Sequence, residues 1–212
     1  MSCPLCKSQA IDSILIDTQK KEYFLCSLCD LRFLHPTQRL GPEEEKQRYL
    51  EHNNDIQDLR YQNFANPLGD EIRKRCPSGA SGLDYGAGTG PVLASLLTQE
   101  NYQITLYDPL FHPERSALDH RYDFVYAIEV VEHFFDPKIE FLSFKKLVKP
   151  KGVLAFMTLL CDSTIDFRDW YYRRDPTHVV FYSQQTFEWI GQNFGFGVPQ
   201  FVGNRIVVFE VP

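Results

Sequence analysis

Three glycines at alternate positions, Gly86, Gly88 and Gly90, stand between an apolar run ending in Leu83-Asp84-Tyr85 and a stretch that carries Val92, Leu93, Leu96 and Leu97 at helical spacing. Glycine lets a backbone turn tightly and approach a ligand. A helix that opens directly after such a turn aims its N-terminal amides at whatever sits there. The turn therefore predicts a strand–turn–helix unit with a ligand at its tip. A second strand is predicted over residues 104–107, and Asp108 at its end falls at about the spacing expected of a carboxylate that binds ribose hydroxyls.

The alternation continues to the end of the chain. A strand is predicted over 124–128, and Asp136-Pro137 is a cap and first-turn pair for a helix reaching about Val148. Lys149-Pro150-Lys151-Gly152 reads as a turn into a strand over 153–159. Ser183 caps a helix with Phe187, Ile190 and Phe194 on one face, and Gly195 ends it. Strands near 200–202 and 206–211 close the chain. This order implies an α/β fold, a doubly wound, Rossmann-like, mainly parallel sheet. In front of it, residues 37–79 read as a helical connector. Gly41-Pro42 followed by Glu43, Glu44 and Glu45 is a helix start. His52-Asn53-Asn54-Asp55 breaks that helix, and a second runs from about Pro67 to Arg75.

Four of the six cysteines form two pairs, Cys3/Cys6 and Cys26/Cys29, each with two residues between. The N-terminus lacks the regions of a signal peptide, so the pairs point to metal rather than disulfides. Strand-like runs at 11–16, 23–25 and 31–34 surround them. Residues 1–36 thus read as a zinc-ribbon-like unit, with the four cysteines filling a closed, structural zinc site. A unit this small depends on its metal to fold. The expected organisation is 1–36, 37–79 and 80–212. No apolar run is long enough to cross a bilayer, and the chain is expected to be cytoplasmic without a membrane partner. The net charge of -6 argues mildly against a nucleic-acid partner, although a local basic patch would suffice for one.

The spacing Asp84-x-Gly86-x-Gly88-x-Gly90 resembles motif I of class I S-adenosylmethionine (SAM) dependent methyltransferases rather than a dinucleotide fingerprint. A carboxylate at Asp84 suits a ligand with an ammonium group and would repel a pyrophosphate. The run from Tyr122 to Phe134 resembles the strand-four motif of that family, in which the residue after the strand, here Glu129, lines the cofactor pocket. The cysteine pairs in front and Arg173-Arg174-Asp175-Pro176-Thr177-His178-Val179 behind are similar to a group of bacterial methyltransferases with small or unassigned substrates. The resemblance implies SAM bound by Asp84, Gly86, Gly88, Gly90, Asp108, Pro109, Leu110 and Glu129. One departure matters: only residues 109–121 separate the second strand from the next, where the family fits a helix, a third strand and an adenine-reading loop. Leu110, Phe111 and Asp119 are the adenine candidates, and the sheet edge is expected to be short.

His178, in a loop on the ligand side of the sheet, is a candidate general base, the alternative being a buried ring satisfied by backbone. His133 is read evenly as a substrate contact or a structural hydrogen bond. Tyr49, His52 and Tyr61 form either a lid or packing. Trp170-Tyr171-Tyr172 with Arg168, Arg173 and Arg174 is aromatic and basic enough to receive an anionic or aromatic substrate. The leading function is methylation of a small-molecule or metabolite acceptor. Methylation of ribosomal or transfer RNA guided by the zinc unit, and a non-catalytic binding module, remain as alternatives.

Overall fold

Strict alternation of side chains across a strand lets each central strand feed two cores at once. In the computed structural model of the chain, which describes residues 1–51 and 55–212, the central sheet shows this directly. Phe124 and Tyr126 of one strand pack on the face that carries Ala65, Leu68, Ile72, Leu93 and Leu97. Val125 and Ala127 of the same strand pack on the opposite face, with Phe141, Phe144, Phe187 and Ile190.

The six-stranded sheet is built from β4 (Ser81–Tyr85), β5 (Gln103–Tyr107), β6 (Tyr122–Ile128), β7 (Val148–Met157), β9 (Gln200–Val202) and β10 (Ile206–Glu210). Its order is β5-β4-β6-β7-β10-β9. β5, β4, β6 and β7 run parallel, while β10 is antiparallel to both its neighbours. Helices α2 (Leu59–Arg75) and α3 (Val92–Gln99) cover one face, and α4 (Pro137–Leu147) and α5 (Gln184–Phe194) the other. This is the expected doubly wound, mainly parallel α/β sheet. After β5 the chain forms only a short 3-10 turn, Arg115–Asp119, before entering β6. The sheet therefore ends at β5, as the shortened segment predicts.

Two elements depart from expectation. α2 begins at Leu59, eight residues before Pro67, because the Asp58 carboxylate accepts from the Arg60 amide and caps the helix there. Pro67 is accommodated inside it, at the loss of one backbone donor. β7 begins at Val148, inside the expected turn. Lys151 takes a left-handed φ of 62°, and the register slips between Tyr122 and Phe124, so the extra residues are absorbed as an irregularity rather than a loop. The helix start at Gly41-Pro42 is as read: α1 spans Pro42–Leu50, and the Glu44 carboxylate accepts from the Gly41 amide. The expected break at His52-Asn53-Asn54 lies outside the described residues.

The N-terminal strands β1 (Ile11–Ile16), β2 (Glu22–Cys26) and β3 (Arg32–Leu34) form a meander. β3 also pairs with β8 (Val180–Phe181), a segment to which the sequence assigns no element. Arg173, buried, bonds Asp17 at 3.1 Å and stands over the ring of Tyr23. The cysteine unit is thus fastened to the segment just after β7, and it shares one apolar cluster with the face that carries α4 and α5.

Candidate active site

The carboxyl ends of β4, β5 and β6 open into a cavity of about 930 Å³. Ligands in open parallel sheets bind at this edge. Gly86, Gly88 and Gly90 line one side of it. The amides of Gly86 and Ala87 both donate to the Tyr107 carbonyl, at 2.8 and 3.1 Å, which locks the turn after β4 against the end of β5. Gly86 has φ of 81°, and a Cβ there would meet Val130 at 2.5 Å. A Cβ on Gly88 would meet nothing within 4 Å, so there the bare backbone faces open space. That is a cradle a ligand can press against.

Asp108 is held by three amides. Its Oδ2 accepts from Gly88 at 3.1 Å, and its Oδ1 accepts from Leu110 at 2.8 Å and Phe111 at 3.0 Å. The carboxylate of β5 and the glycine turn of β4 are therefore one unit. Pro109, Leu110 and Phe111 line the cavity with it, whereas Asp119 is not among the lining residues. Asp84 is buried beneath the turn, where Tyr126 donates to its Oδ2 at 2.9 Å. Burial, with the Asp108 charge adding, pushes its carboxyl up to about 7 against the help of Tyr126.

Glu129 follows β6 with φ of 50°, a left-handed conformation uncommon for a glutamate. Its amide donates to Met157, and its carboxylate accepts from Arg205 at 3.0 Å. Burial raises its carboxyl and Arg205 opposes the rise. One turn further on, Glu132 is fully buried. Tyr172 donates to its Oε1, and Oε2 has no hydrogen-bond partner. Burial, then the Glu129 charge, push Glu132 up to about 8. His133 and His178 stand beside it with ring centroids 4.8 Å apart. His133 Nδ1 lies 3.0 Å from the Thr177 carbonyl, and His178 Nδ1 lies 2.7 Å from the Tyr172 carbonyl. Each Nδ1 must therefore carry a proton, which leaves Nε2 of the neutral ring as the acceptor.

The basic aromatic segment divides. Tyr171, Tyr172 and Arg174 line the cavity. Trp170 is buried in the apolar cluster, and Arg173 is spent on Asp17 and on the carbonyls of Phe167 and Arg168. Arg173 is thus a structural cation and not a substrate group. Tyr49 and Tyr61 do line the cavity; His52 lies outside the described residues. The sequence gives no warning of Arg48, also in the wall, which bonds the Asp175 carboxylate at 2.9 Å and pins α1 over the cavity. The contact spans 127 residues, and no local pattern encodes it.

The four paired cysteines converge. Cys3 Sγ stands 3.6 Å from Cys29 Sγ, Cys6 Sγ stands 3.4 Å from Cys26 Sγ, and all four sulfurs lie within 4.8 Å of one another. Sulfurs about 2.3 Å from a tetrahedral zinc stand roughly 3.8 Å apart, so the cage fits that ion. The two knuckles repeat one geometry: Lys7 and Asp30, with φ of 63° and 56°, donate to the carbonyls of Cys3 and Cys26. Cys76 and Cys161 are buried elsewhere.

A glycine turn tied to a carboxylate, at the carboxyl edge of a doubly wound sheet, defines a protein of the nucleotide-cofactor-binding α/β class. The sequence matches the methyltransferase-domain family over residues 54–200 of 212, and the chain belongs to that family. Its fold is similar to that of an O-methyltransferase family protein from Burkholderia thailandensis, with a TM-score of 0.54 and 13% identity over 79% of this chain and 62% of that one. Human N-acetylserotonin methyltransferase, solved in complex with SAM, gives 0.52 and 14% over 79% of this chain and 56% of that one. Streptomyces venezuelae DesVI gives 0.54 and 16% over 82% and 100%. At such identities the likeness is one of fold. The chain spans less than two thirds of the length of the first two structures. No curated protein matches the sequence.

Proposed function

We propose that the chain is a SAM-dependent methyltransferase acting on a small-molecule or metabolite acceptor. The observation that carries this reading is Asp108, fixed by the Gly88, Leu110 and Phe111 amides in the wall of a cavity that His133 and His178 also line. When bound, SAM supplies a methyl group on a positively charged sulfur. Asp108 accepts from the ribose hydroxyls, the bare backbone at Gly86, Gly88 and Gly90 lets the cofactor approach, and Pro109 and Leu110 cover the base. Asp84 and Glu129 face the amino-acid end, with negative charge suited to an ammonium group. His178 and His133 border the space for the acceptor and hold it where its nucleophile meets the methyl carbon in line. The cavity, at about 930 Å³, lies near the top of the roughly 300–1,000 Å³ usual for small-molecule sites. It suits a cofactor and a small acceptor together.

The same reading makes Cys3, Cys6, Cys26 and Cys29 a structural zinc site and divides the chain into a ribbon (1–36), a helical connector and lid (37–79) and a cofactor domain (80–212). Among the described residues no helix is long and apolar enough to cross a membrane. Free thiols at Cys76 and Cys161 suit a reducing compartment, and we place the protein in the cytoplasm. The test is incubation with methyl-labelled SAM and two separated pools, small metabolites and bulk RNA. Label entering the metabolite pool supports the reading; label entering only RNA overturns the choice of acceptor.

Asp84 gives this reading a pH dependence. Its folded-state pKa of about 7 lies above the ordinary aspartate value, so the folded chain holds a proton that the unfolded chain releases. Its contribution to stability therefore falls as pH rises from about 4 to about 7. A cationic ligand needs the ionised form, so SAM affinity runs the opposite way and strengthens as pH rises through 7, by up to about tenfold per unit below it. Titrations between pH 6 and 8 with wild type and Asp84→Asn check this. A slope that persists in the variant assigns it to another group.

A further inference from the structure

Glu132 is a buried carboxylate in an unusual position. His178 Nε2 lies 4.0 Å from its Oε1, and its Oε2 is buried with no hydrogen bond. A buried charge without a partner is strongly disfavoured, so such a group is paired, neutralised or bound to a metal. Two imidazoles stand beside it, and each has its Nδ1 tied to a backbone carbonyl. That is the support by which a protein fixes the tautomer of a metal-bound histidine and presents Nε2 to the ion. One carboxylate oxygen and one nitrogen from each ring lie within 4.8 Å of one another. Ligand atoms about 2.1 Å from one ion stand roughly 3.0–3.5 Å apart, so side-chain adjustments of about an ångström close the set.

We propose that Glu132, His133 and His178 bind a divalent first-row transition-metal ion, separate from the four-cysteine cage, on which a hydroxyl-bearing acceptor docks. The proposal rests on the methyltransferase reading for the acceptor and on the side-chain cluster for the ion. Two histidines and one carboxylate leave two or three coordination positions open. His133 and His178 line the cavity, so the open positions face the space given to the acceptor. A cation there lowers the pKa of a bound hydroxyl. The hydroxyl proton passes to solvent, and the oxygen lone pair forms the new bond to the methyl carbon. The bond from that carbon to sulfur breaks with its electron pair staying on sulfur. The chemical class this selects is an oxygen nucleophile, with an acceptor carrying a second oxygen next to the first filling two open positions at once.

The test uses the full chain with its cysteine cage loaded. Mn²⁺, which prefers oxygen and nitrogen over thiolate, is titrated in and followed by loss of the free-ion electron paramagnetic resonance signal. One Mn²⁺ per chain is expected at micromolar concentration. Glu132→Gln, which keeps an acceptor for the Tyr172 hydroxyl, and His178→Ala should each weaken it by 100-fold or more. S-adenosylhomocysteine (SAH) binding is titrated on the same samples. Wild type that binds SAH and takes up no Mn²⁺ overturns the ion site and leaves the methyltransferase reading standing. Mn²⁺ binding that is unchanged in Glu132→Gln overturns the ligand assignment. Mn²⁺ binding lost in the variants, in protein that binds no SAH at all, keeps the ion and removes the methyltransferase reading.

Discussion

Replacing Cys26 by Ser abolishes binding of about one zinc per chain and lowers the midpoint of thermal unfolding by on the order of 10 °C or more. Structural zinc supplies much of the folding free energy of a small ribbon, and a loss of about 4 kcal/mol in a domain of this size shifts the midpoint by that amount. The damage should travel. β3 pairs with β8, the Leu34 amide donates to the Val179 carbonyl, and the Val179 amide donates to Glu132. The loop carrying His178 therefore depends on the ribbon for its position. The variant should also lose Mn²⁺ uptake, while SAH binding by the glycine turn after β4 and by Asp108 survives in the fraction that stays folded. Metal analysis with calorimetric unfolding checks both. Wild type that carries no zinc, with a variant of unchanged midpoint, would remove metal from the account of residues 1–36.

Asp108→Ala should weaken SAM and SAH by about 10²-fold. On the proposed reading the carboxylate accepts from the ribose hydroxyls, and charge-assisted hydrogen bonds contribute about 1.5–3 kcal/mol. Its loss also frees the amides of Gly88, Leu110 and Phe111, so the turn itself loosens. Asp108→Asn separates the two effects. A neutral amide oxygen still accepts from the loop, and the variant should recover stability more fully than affinity. Calorimetric titration with SAH gives the affinities, and thermal unfolding gives the stabilities. Equal affinity in wild type and Asp108→Ala would place the ribose elsewhere.

What the sequence made legible is what local chemistry dictates. Apolar runs marked the central strands, and Gly86, Gly88 and Gly90 marked the turn, two of them, Gly86 and Gly88, sitting at a left-handed φ that little else tolerates. Asp136, Ser183 and Gly195 marked helix ends through caps that act within a few residues. The two cysteine pairs marked one cage. What stayed hidden depends on distant parts of the chain. Val180-Phe181 is too short to announce a strand, and it becomes one because β3 lies beside it. Arg173 looks like a substrate group in sequence, and Asp17, 156 residues away, makes it structural. Glu132 carries no signal of its own in the sequence; only Tyr172, 40 residues on, and the two imidazoles make it the centre of a cluster.

The central claim is that the glycine turn and Asp108 hold SAM, and titration of the purified chain with SAM and SAH tests it most directly. The account predicts micromolar binding of both at one site per chain, strengthening through pH 7 and lost in Asp108→Ala. Absence of binding in folded wild-type protein would contradict it, and would mean that the short segment after Asp108 leaves no adenine site in the cavity.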